Sequence, residues 1–310
     1  MKRFPKYLFA VITACCFLHA VANDQMRKWT FTSGEKETAE IIAFDENTRI
    51  ATLRKADQTL LKLEESEFST IDRAWILQWI ELDEEARNML SRVGGTVTRE
   101  KTTGEFVIDY YVYHPDPQQI PAGTKPPMMM LFHPGGNGGR AIYRYVEAAA
   151  ATGFTLVSFD YFRNTNKNEP GLFDEMNARF VEIIPQIEAN VTHDPQRVFM
   201  GGTSGGALRA YRHSALVDRP WAGIFAAGGW LESSPHHKRD YPQMLVAMVN
   251  GDKDHAANHY IKRDTDILQS NACLVSVHAF EGGHQMPPPS VITKAFRWLL
   301  ETELPSDPLP

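Results

Sequence analysis

The sequence predicts an α/β fold in which a small β-barrel precedes a mostly parallel, doubly wound sheet. After residue 96, continuous apolar runs alternate with helical segments, which is typical of parallel strands with both faces buried. Residues 27–80 instead contain three short strand-like runs joined by polar turns, which predicts a small antiparallel barrel. A chain of 310 residues is long enough for both parts.

The composition excludes several classes of protein. With 43% hydrophobic and 23% charged residues, the chain is neither collagen-like nor wholly disordered. A formal net charge of −6, without a basic stripe, argues against a nucleic-acid partner. The three cysteines, Cys15, Cys16 and Cys273, are too few for a disulfide scaffold or a cysteine zinc site. No metal and no cofactor are predicted.

The N-terminus has the layout of a secretory signal peptide. A positively charged head within the first six residues precedes an apolar run over residues 8–18, and Ala20-Val21-Ala22 supplies the small-x-small cleavage pattern. We therefore predict a signal peptide over residues 1–22 and export to the periplasm or the extracellular space. The apolar run is short for a membrane span, so no transmembrane segment is expected after cleavage. The alternative is a lipoprotein anchored at Cys15, since the residues before it resemble a lipobox.

The small N-terminal domain is predicted over residues 23–81. Its strand-like runs end before Ser69, where the spacing Ser69-x-x-Asp72 is typical of a helix N-cap with an acidic third position. Residues 82–95 are predicted to form a linker helix that ends at Gly94-Gly95.

The larger domain is predicted over residues 96–304 and is followed by a tail at 305–310. Its elements alternate as expected for a parallel sheet covered on both faces. The predicted strands are 96–101, 105–113, 128–132, 155–159, 197–200, 221–227, 245–249 and 274–279. The predicted helices are 140–152, 173–191, 205–216, 261–270 and 290–300.

A G-x-S-x-G pattern occupies residues 202–206, with Ser204 at its centre. It follows the predicted strand 197–200 and begins a helix at Gly205. This context matches a nucleophile elbow, a sharp turn that exposes the serine hydroxyl at the carboxyl edge of the sheet. The helix N-terminus offers free N–H groups and a positive dipole end. Ser204 is the predicted nucleophile and Gly205 a predicted oxyanion donor; an ordinary serine in a glycine-rich turn is the alternative.

A serine hydroxyl needs a base and a group that orients the base. Two later strands are followed by suitable side chains, at the sheet edge where ligands bind in such folds. Asp252 and Asp254 come after strand 245–249, and His284 comes after strand 274–279. We predict His284 as the base and favour Asp254 over Asp252 as the acid.

A glycine-rich loop at residues 133–139 follows the apolar strand 128–132. Such a loop can direct backbone N–H groups at a tetrahedral oxyanion, together with the N–H of Gly205. We favour Gly135 as the donor, with Gly136 as the alternative. A phosphate-binding loop is disfavoured, because the G-x-x-x-x-G-K-[ST] spacing is absent.

Four further residues are candidates for contact with substrate because they lie in or beside these loops. Asn137 belongs to the glycine-rich loop and Thr203 to the elbow. His255 follows the acid loop, and Trp230 follows the strand that ends near residue 227.

The larger domain resembles the α/β-hydrolase superfamily, in particular the compact secreted esterases related to polyhydroxybutyrate depolymerases, feruloyl esterases and the prolyl-oligopeptidase group. The resemblance rests on residues 133–139, residues 202–206, Asp254 and residues 282–284. It implies a Ser/Asp/His triad that hydrolyses esters or, less often, peptides. Pro134 departs from the pattern, because many members have Gly after the His, and this leaves the oxyanion donor open.

Residues 27–80 resemble the Sla homology domain one, a small SH3-like barrel. The resemblance implies a module that binds short peptide motifs, although likeness transfers fold better than ligand. Trp29, Trp75 and Trp79 are either core or a binding face, and we favour core. The matching pieces are Arg27-x-Trp29-Thr30, Ser33-Gly34, Ala39, Leu53-Arg54-Lys55 and Phe68-Ser69-x-x-Asp72-x-x-Trp75-Ile76.

These observations predict an exported serine hydrolase, and more specifically a carboxylesterase. No long insertion interrupts the larger domain, so little or no cap is expected over the site, which suits small or polymer-linked esters such as polysaccharide decorations. A serine peptidase of the prolyl-oligopeptidase type is one alternative. A non-catalytic protein that binds a peptide or protein through the N-terminal barrel is the other.

Overall fold

The computed structural model describes residues 27–45, 48–55, 57, 59–162, 172–217, 219–231 and 240–304. The predicted signal peptide, the lipobox cysteine Cys15 and the tail at 305–310 lie outside these residues. The chain forms two compact units that divide between Arg92 and Val93.

The first unit contains a four-stranded antiparallel sheet and one long helix, α1 (Thr70–Val93). The strands pair in chain order, so β1 and β4 lie at opposite edges and the sheet is open. A single bridge between Phe31 and Phe68 brings the segment after β4 back against the end of β1, but the predicted closed barrel is not observed. The strands are β1 (Arg27–Thr30), β2 (Lys36–Asp45), β3 (Ile50–Lys55) and β4 (Leu60–Glu64).

An aromatic cluster forms the core of this unit. Trp29 is fully buried, and its ring contacts Phe68 and Trp75 edge to face at 5.4 and 5.2 Å. The Trp29 indole also donates to the carbonyl of Ala39 at 2.8 Å, which satisfies its polar atom. The core prediction is therefore confirmed for Trp29, while Trp75 is partly buried against the same cluster. The side chain of Trp79 lies outside the described part.

Helix α1 begins where the capping pattern predicts. The Ser69 hydroxyl accepts from the Asp72 N–H at 3.2 Å and donates to the Asp72 carboxylate at 2.9 Å. The helix then continues to Val93 without a break, so residues 82–93 extend α1 and do not form a separate linker helix. Gly94 and Gly95 follow it with φ values of 78° and 86°, a conformation that glycine adopts readily.

The Asp72 carboxylate also joins the helix start to β1. It accepts from the Thr30 N–H at 2.9 Å and pairs with Arg27 at 2.5 Å. Burial by itself would raise the pKa of Asp72, but the hydrogen bonds from Arg27, Thr30 and Ser69 outweigh burial, and the pKa lies below its ordinary value of 3.8.

Replacing Asp72 with asparagine is expected to lower the free energy of unfolding of the first unit by about 1–3 kcal/mol at pH 7, because Arg27 loses a charged partner. Because folding lowers the pKa of Asp72, the wild-type advantage is present above pH 3.8 and disappears as the pH falls through the lowered pKa. Urea unfolding of both proteins at several pH values measures this difference in the free energy of unfolding. Glu37→Gln, which removes a partly exposed partner of Lys55, is the control. An Asp72→Asn loss that does not shrink at low pH would contradict the electrostatic explanation.

The second unit is an eight-stranded sheet in the order β12-β11-β10-β9-β7-β8-β6-β5. Strands β7 to β12 pair in parallel, whereas β5 and β6 form an antiparallel extension at one edge. The predicted, mostly parallel sheet is thus confirmed. The strands are β5 (Thr96–Lys101), β6 (Asp109–His114), β7 (Met128–Phe132), β8 (Thr155–Phe159), β9 (Val198–Thr203), β10 (Gly223–Ala227), β11 (Leu245–Gly251) and β12 (Leu274–Phe280).

Helices cover both faces of this sheet. On one face, Phe132 of β7 packs against Phe180 of α3 in the larger core. On the other face, Phe225 of β10 contacts Tyr145 of α2 and Phe296 of α6. The helices are α2 (Gly138–Ala150), α3 (Leu172–Asn190), α4 (Gly205–Leu216), α5 (His255–Ser270) and α6 (Pro289–Glu301). Among the described residues, no helix combines the length and apolarity needed to cross a bilayer.

Candidate active site

Ser204 lies in a sharp turn between β9 and α4. Its backbone has φ 54° and ψ −122°, a conformation that is strained for a residue with a side chain and that marks a nucleophile elbow. Close packing explains the flanking glycines: a Cβ on Gly202 would lie 2.5 Å from the carbonyl oxygen of Phe132, and one on Gly206 would overlap the same atom. Gly205 is the first residue of α4, where an N–H has no intrahelical acceptor.

The structure brings Ser204, His284 and Asp254 together in one chain of hydrogen bonds. His284 Nε2 lies 2.9 Å from Ser204 Oγ, and His284 Nδ1 lies 2.7 Å from Asp254 Oδ2. Asp254 is only 2% exposed, and its other oxygen accepts from the Ala257 N–H at the start of α5. A buried carboxylate beside an imidazole that contacts a hydroxyl can support removal of the hydroxyl proton.

Asp252, the alternative acid, has a different partner. Its carboxylate accepts from the Gly282 N–H at 2.9 Å, and its own N–H donates to the Phe280 carbonyl at 2.8 Å. These bonds join the loop after β11 to the loop after β12. Asp252 therefore holds the loop that carries His284, whereas Asp254 contacts the imidazole itself.

The glycine-rich loop differs from the prediction. The Gly135 N–H donates to His133 Nδ1 at 3.1 Å, and the Gly136 N–H donates to the His133 carbonyl at 3.0 Å. Both predicted oxyanion donors are thus used inside the loop, because it closes as a tight turn on the His133 side chain. The third predicted oxyanion donor is the Gly205 N–H, which lies in the elbow directly after Ser204.

Asp160 is a half-buried residue that was not predicted from the sequence. It directly follows β8 and accepts from the Gly138 N–H at 2.5 Å and from the Tyr111 hydroxyl at 2.9 Å, which fixes the start of α2 behind the loop. Burial raises the pKa of Asp160, and the hydrogen bonds oppose this rise. Because Asp160 lies at the carboxyl end of a strand, the sequence could have indicated that it is near the ligand-binding edge of the sheet.

A cavity of about 200 Å³ opens beside Ser204 and His284. Thr203, a predicted substrate contact, lies in its wall. Its lining residues are Phe132, His133, Pro134, Ala141, Arg144, Tyr145, Thr203, Ser204, Gly228, His284, Gln285 and Met286.

The other three predicted substrate contacts do not line this cavity. The Asn137 N–H points back to His133 Nδ1 at 3.4 Å. His255 is exposed at the first position of α5. The Trp230 ring stacks on Tyr260 at 5.5 Å. These residues are close to the site residues in sequence, but they are not among the described residues that line the cavity.

Comparison with solved structures identifies the architecture. The esterase LipW from Mycobacterium marinum matches with a TM-score of 0.54 at 17% identity, covering 70% of this chain and 85% of that chain. A hyperthermophilic esterase from the archaeon Pyrobaculum calidifontis matches with a TM-score of 0.53 at 10% identity, covering 75% and 98%. The chain has the α/β-hydrolase fold. No protein-family model and no curated protein matches the sequence.

A peptidase also shares the α/β-hydrolase fold with this chain. The puromycin-hydrolysing peptidase of Mycobacterium tuberculosis matches with a TM-score of 0.50 at 12% identity, covering 84% of this chain and 44% of that chain. In this fold the triad residues follow the order serine, acid, histidine. Ser204, Asp254 and His284 have that order here.

Two cavity residues on α2 were also missed. The Tyr145 hydroxyl lies 2.7 Å from Thr203 Oγ1, beside the elbow, and burial raises the pKa of Tyr145 to about 12. Arg144 precedes it and lines the same cavity. Ala141, Arg144 and Tyr145 occupy positions i, i+3 and i+4 and therefore share one face of α2. This spacing, in a helix that follows the glycine-rich loop, could have indicated from the sequence that these residues lie near the site.

No cluster of three His, Cys, Asp or Glu side chains suited to a metal ion occurs in the described part of the chain.

Proposed function

We propose that this protein is a serine hydrolase that cleaves carboxylic esters by acyl transfer. The observation that carries the proposal is the continuous chain of short hydrogen bonds from Ser204 through His284 to the buried Asp254. The strained backbone of Ser204 supports the same function, because such strain is characteristic of nucleophile elbows.

In the proposed reaction, Ser204 Oγ attacks the ester carbonyl while His284 Nε2 takes its proton. The tetrahedral intermediate collapses, the C–O bond to the alcohol breaks, and His284 returns the proton to the departing alcohol. His284 then takes a proton from water, and the hydroxide attacks the acyl-enzyme. The bond between the acyl group and Ser204 Oγ breaks, the acid is released, and His284 returns the proton to Ser204. Asp254 keeps His284 in the tautomer with hydrogen on Nδ1 and stabilises the imidazolium.

The proposed oxyanion donor at the elbow is the Gly205 N–H. A second donor from the glycine-rich loop requires the Gly135 or Gly136 N–H to leave its present acceptor in His133. Asp160 keeps the far end of that loop in place during such a change, because it binds the first N–H of α2.

An ester is favoured over a peptide as the substrate. Of the three solved structures described above, two are esterases and one is a peptidase. A cavity of about 200 Å³ suits a short acyl group, since drug-sized ligands occupy about 300–1,000 Å³. Small esters and polymer-linked esters, such as those on polysaccharides, both meet this size limit because only the acyl group has to enter.

A panel of 4-nitrophenyl acetate, butyrate and octanoate, with the matching 4-nitroanilides and a fluorophosphonate probe, tests the proposal. We expect turnover of the short esters and labelling of Ser204, with little turnover of the anilides. Turnover of anilides without esters would favour the peptidase alternative. No turnover together with no labelling would favour the non-catalytic binding alternative.

We also propose that residues 1–22 direct export, with lipid attachment at Cys15 as the alternative. Sequencing the N-terminus of the exported protein distinguishes Asn23 from a lipidated Cys15.

For the first unit we propose a peptide-binding module of the Sla type, and the bridge of Phe31 to Phe68 supports the resemblance. Because Trp29 is fully buried, a peptide would bind elsewhere on this unit. Titration of the full chain with a peptide library measures such binding.

A further inference from the structure

We propose that Arg144 makes the site selective for esters that carry a carboxylate close to the scissile bond. The inference rests on the proposed function and names the substrate class of the same cavity. Among the described residues that line the cavity, Arg144 is the one with a permanent charge, and none is acidic. This part of the cavity wall therefore presents a positive charge and no carboxylate to a substrate.

Arg144 has no hydrogen-bond or ion-pair partner within the described residues. Other arginines of this unit are paired, such as Arg179 with Glu182, Arg219 with Glu188 and Arg263 with Asp264. Arg144 is exposed, so its guanidinium remains hydrated and available. An arginine that the fold uses for structure would be expected to have a partner of this kind.

Arg144 lines the same cavity as Ser204 and His284. It is the neighbour of Tyr145, whose hydroxyl contacts Thr203, the residue before Ser204. Burial raises the pKa of Tyr145 to about 12, while the Thr203 hydrogen bond and the positive charge of Arg144 act in the opposite direction. The charge of Arg144 therefore reaches the Tyr145 hydroxyl at the cavity wall.

A guanidinium recognises a carboxylate through two parallel N–H···O bonds. Because Arg144 is exposed, water screens the pair, and we expect a change of about two- to fivefold in kcat/KM. Neutral esters lack the partner, so the ratio of kcat/KM for anionic and neutral esters isolates the effect of the charge. A selectivity of this origin should also weaken as salt is added.

The test compares matched neutral and anionic esters. One pair places the charge on the acyl chain: 4-nitrophenyl hexanoate and the mono-4-nitrophenyl ester of adipic acid. The other places it on the alcohol: phenyl acetate and 4-carboxyphenyl acetate. In at least one pair, we expect the anionic-to-neutral ratio of kcat/KM to fall about two- to fivefold in Arg144→Gln. Arg144→Lys should keep part of the wild-type ratio, because lysine retains the charge but not the paired N–H···O bonds. Added salt should lower the wild-type ratio.

Lys262→Gln is the control, since Lys262 is an exposed cation on α5 that pairs with Asp266. Its ratio should equal that of the wild type. An unchanged ratio in Arg144→Gln, with neutral esters still hydrolysed, would overturn this inference and leave the proposed function intact. An equal fall in Lys262→Gln would also overturn it, because the effect would then be general. Absence of hydrolysis of every ester by the wild type would instead overturn the proposed function.

Discussion

Replacing Ser204 with alanine is expected to lower kcat for 4-nitrophenyl butyrate by about 10⁴- to 10⁶-fold. The variant lacks the oxygen that forms the acyl-enzyme, while His284, Asp254 and the Gly205 N–H remain. The residual rate should reflect binding and oxyanion stabilisation by themselves. Steady-state kinetics with the uncatalysed rate subtracted measures the loss, and the fluorophosphonate probe should no longer label the protein.

The fold should survive this change, because the Ser204 hydroxyl contacts His284 and fills no core position. Far-ultraviolet circular dichroism and the unfolding midpoint check this point. Ser276→Ala, in the edge strand β12, is a matched control that should leave both activity and labelling unchanged. Wild-type activity in Ser204→Ala would show that another group carries the reaction.

Replacing Asp254 with asparagine is expected to lower kcat by about 10⁴-fold. The amide can present an N–H to His284 Nδ1, which favours the tautomer with hydrogen on Nε2 and leaves no acceptor for the Ser204 proton. Asparagine can still accept from the Ala257 N–H, so the start of α5 should be retained. The loss should therefore appear in kcat with little change in the unfolding midpoint.

Asp252→Asn is the control for this prediction, because the two aspartates share one loop and differ in partner. Asp252 accepts from the Gly282 N–H, and an asparagine oxygen can accept the same bond. We expect less than about a tenfold loss of kcat, arising from a less firmly held His284 loop. A larger loss in Asp252→Asn than in Asp254→Asn would contradict the assignment of Asp254.

The strand and helix pattern of the second unit was largely predictable. Buried strands such as β7 and β10 are continuous runs without a polar side chain, and the helices of this unit differ clearly from them in hydrophobic period. The first unit was less predictable. Its strands were recognised, but closure of a sheet depends on which edges meet, and here β1 and β4 lie at opposite edges.

The glycine-rich loop shows a second limit. Its glycines predicted free N–H groups, yet the His133 side chain and carbonyl bind those of Gly135 and Gly136. Such short-range closure depends on a side-chain rotamer and on backbone angles that the residue types do not fix. Asp160 was missed for a related reason, because its role depends on a contact with Gly138 across two loops.

The sequence by itself determined that a serine, an acid and a histidine follow three strands in order. Parallel strands end at one edge, so these residues had to approach one another. Only the tertiary structure decided that Asp254 and not Asp252 contacts His284, and that Arg144, Tyr145 and Met286 line the cavity. The physical reason is that Ser204 and His284 are 80 residues apart. A contact of 2.9 Å across that separation is set by strand order and by how loops and helices pack, and local residue preferences do not encode it.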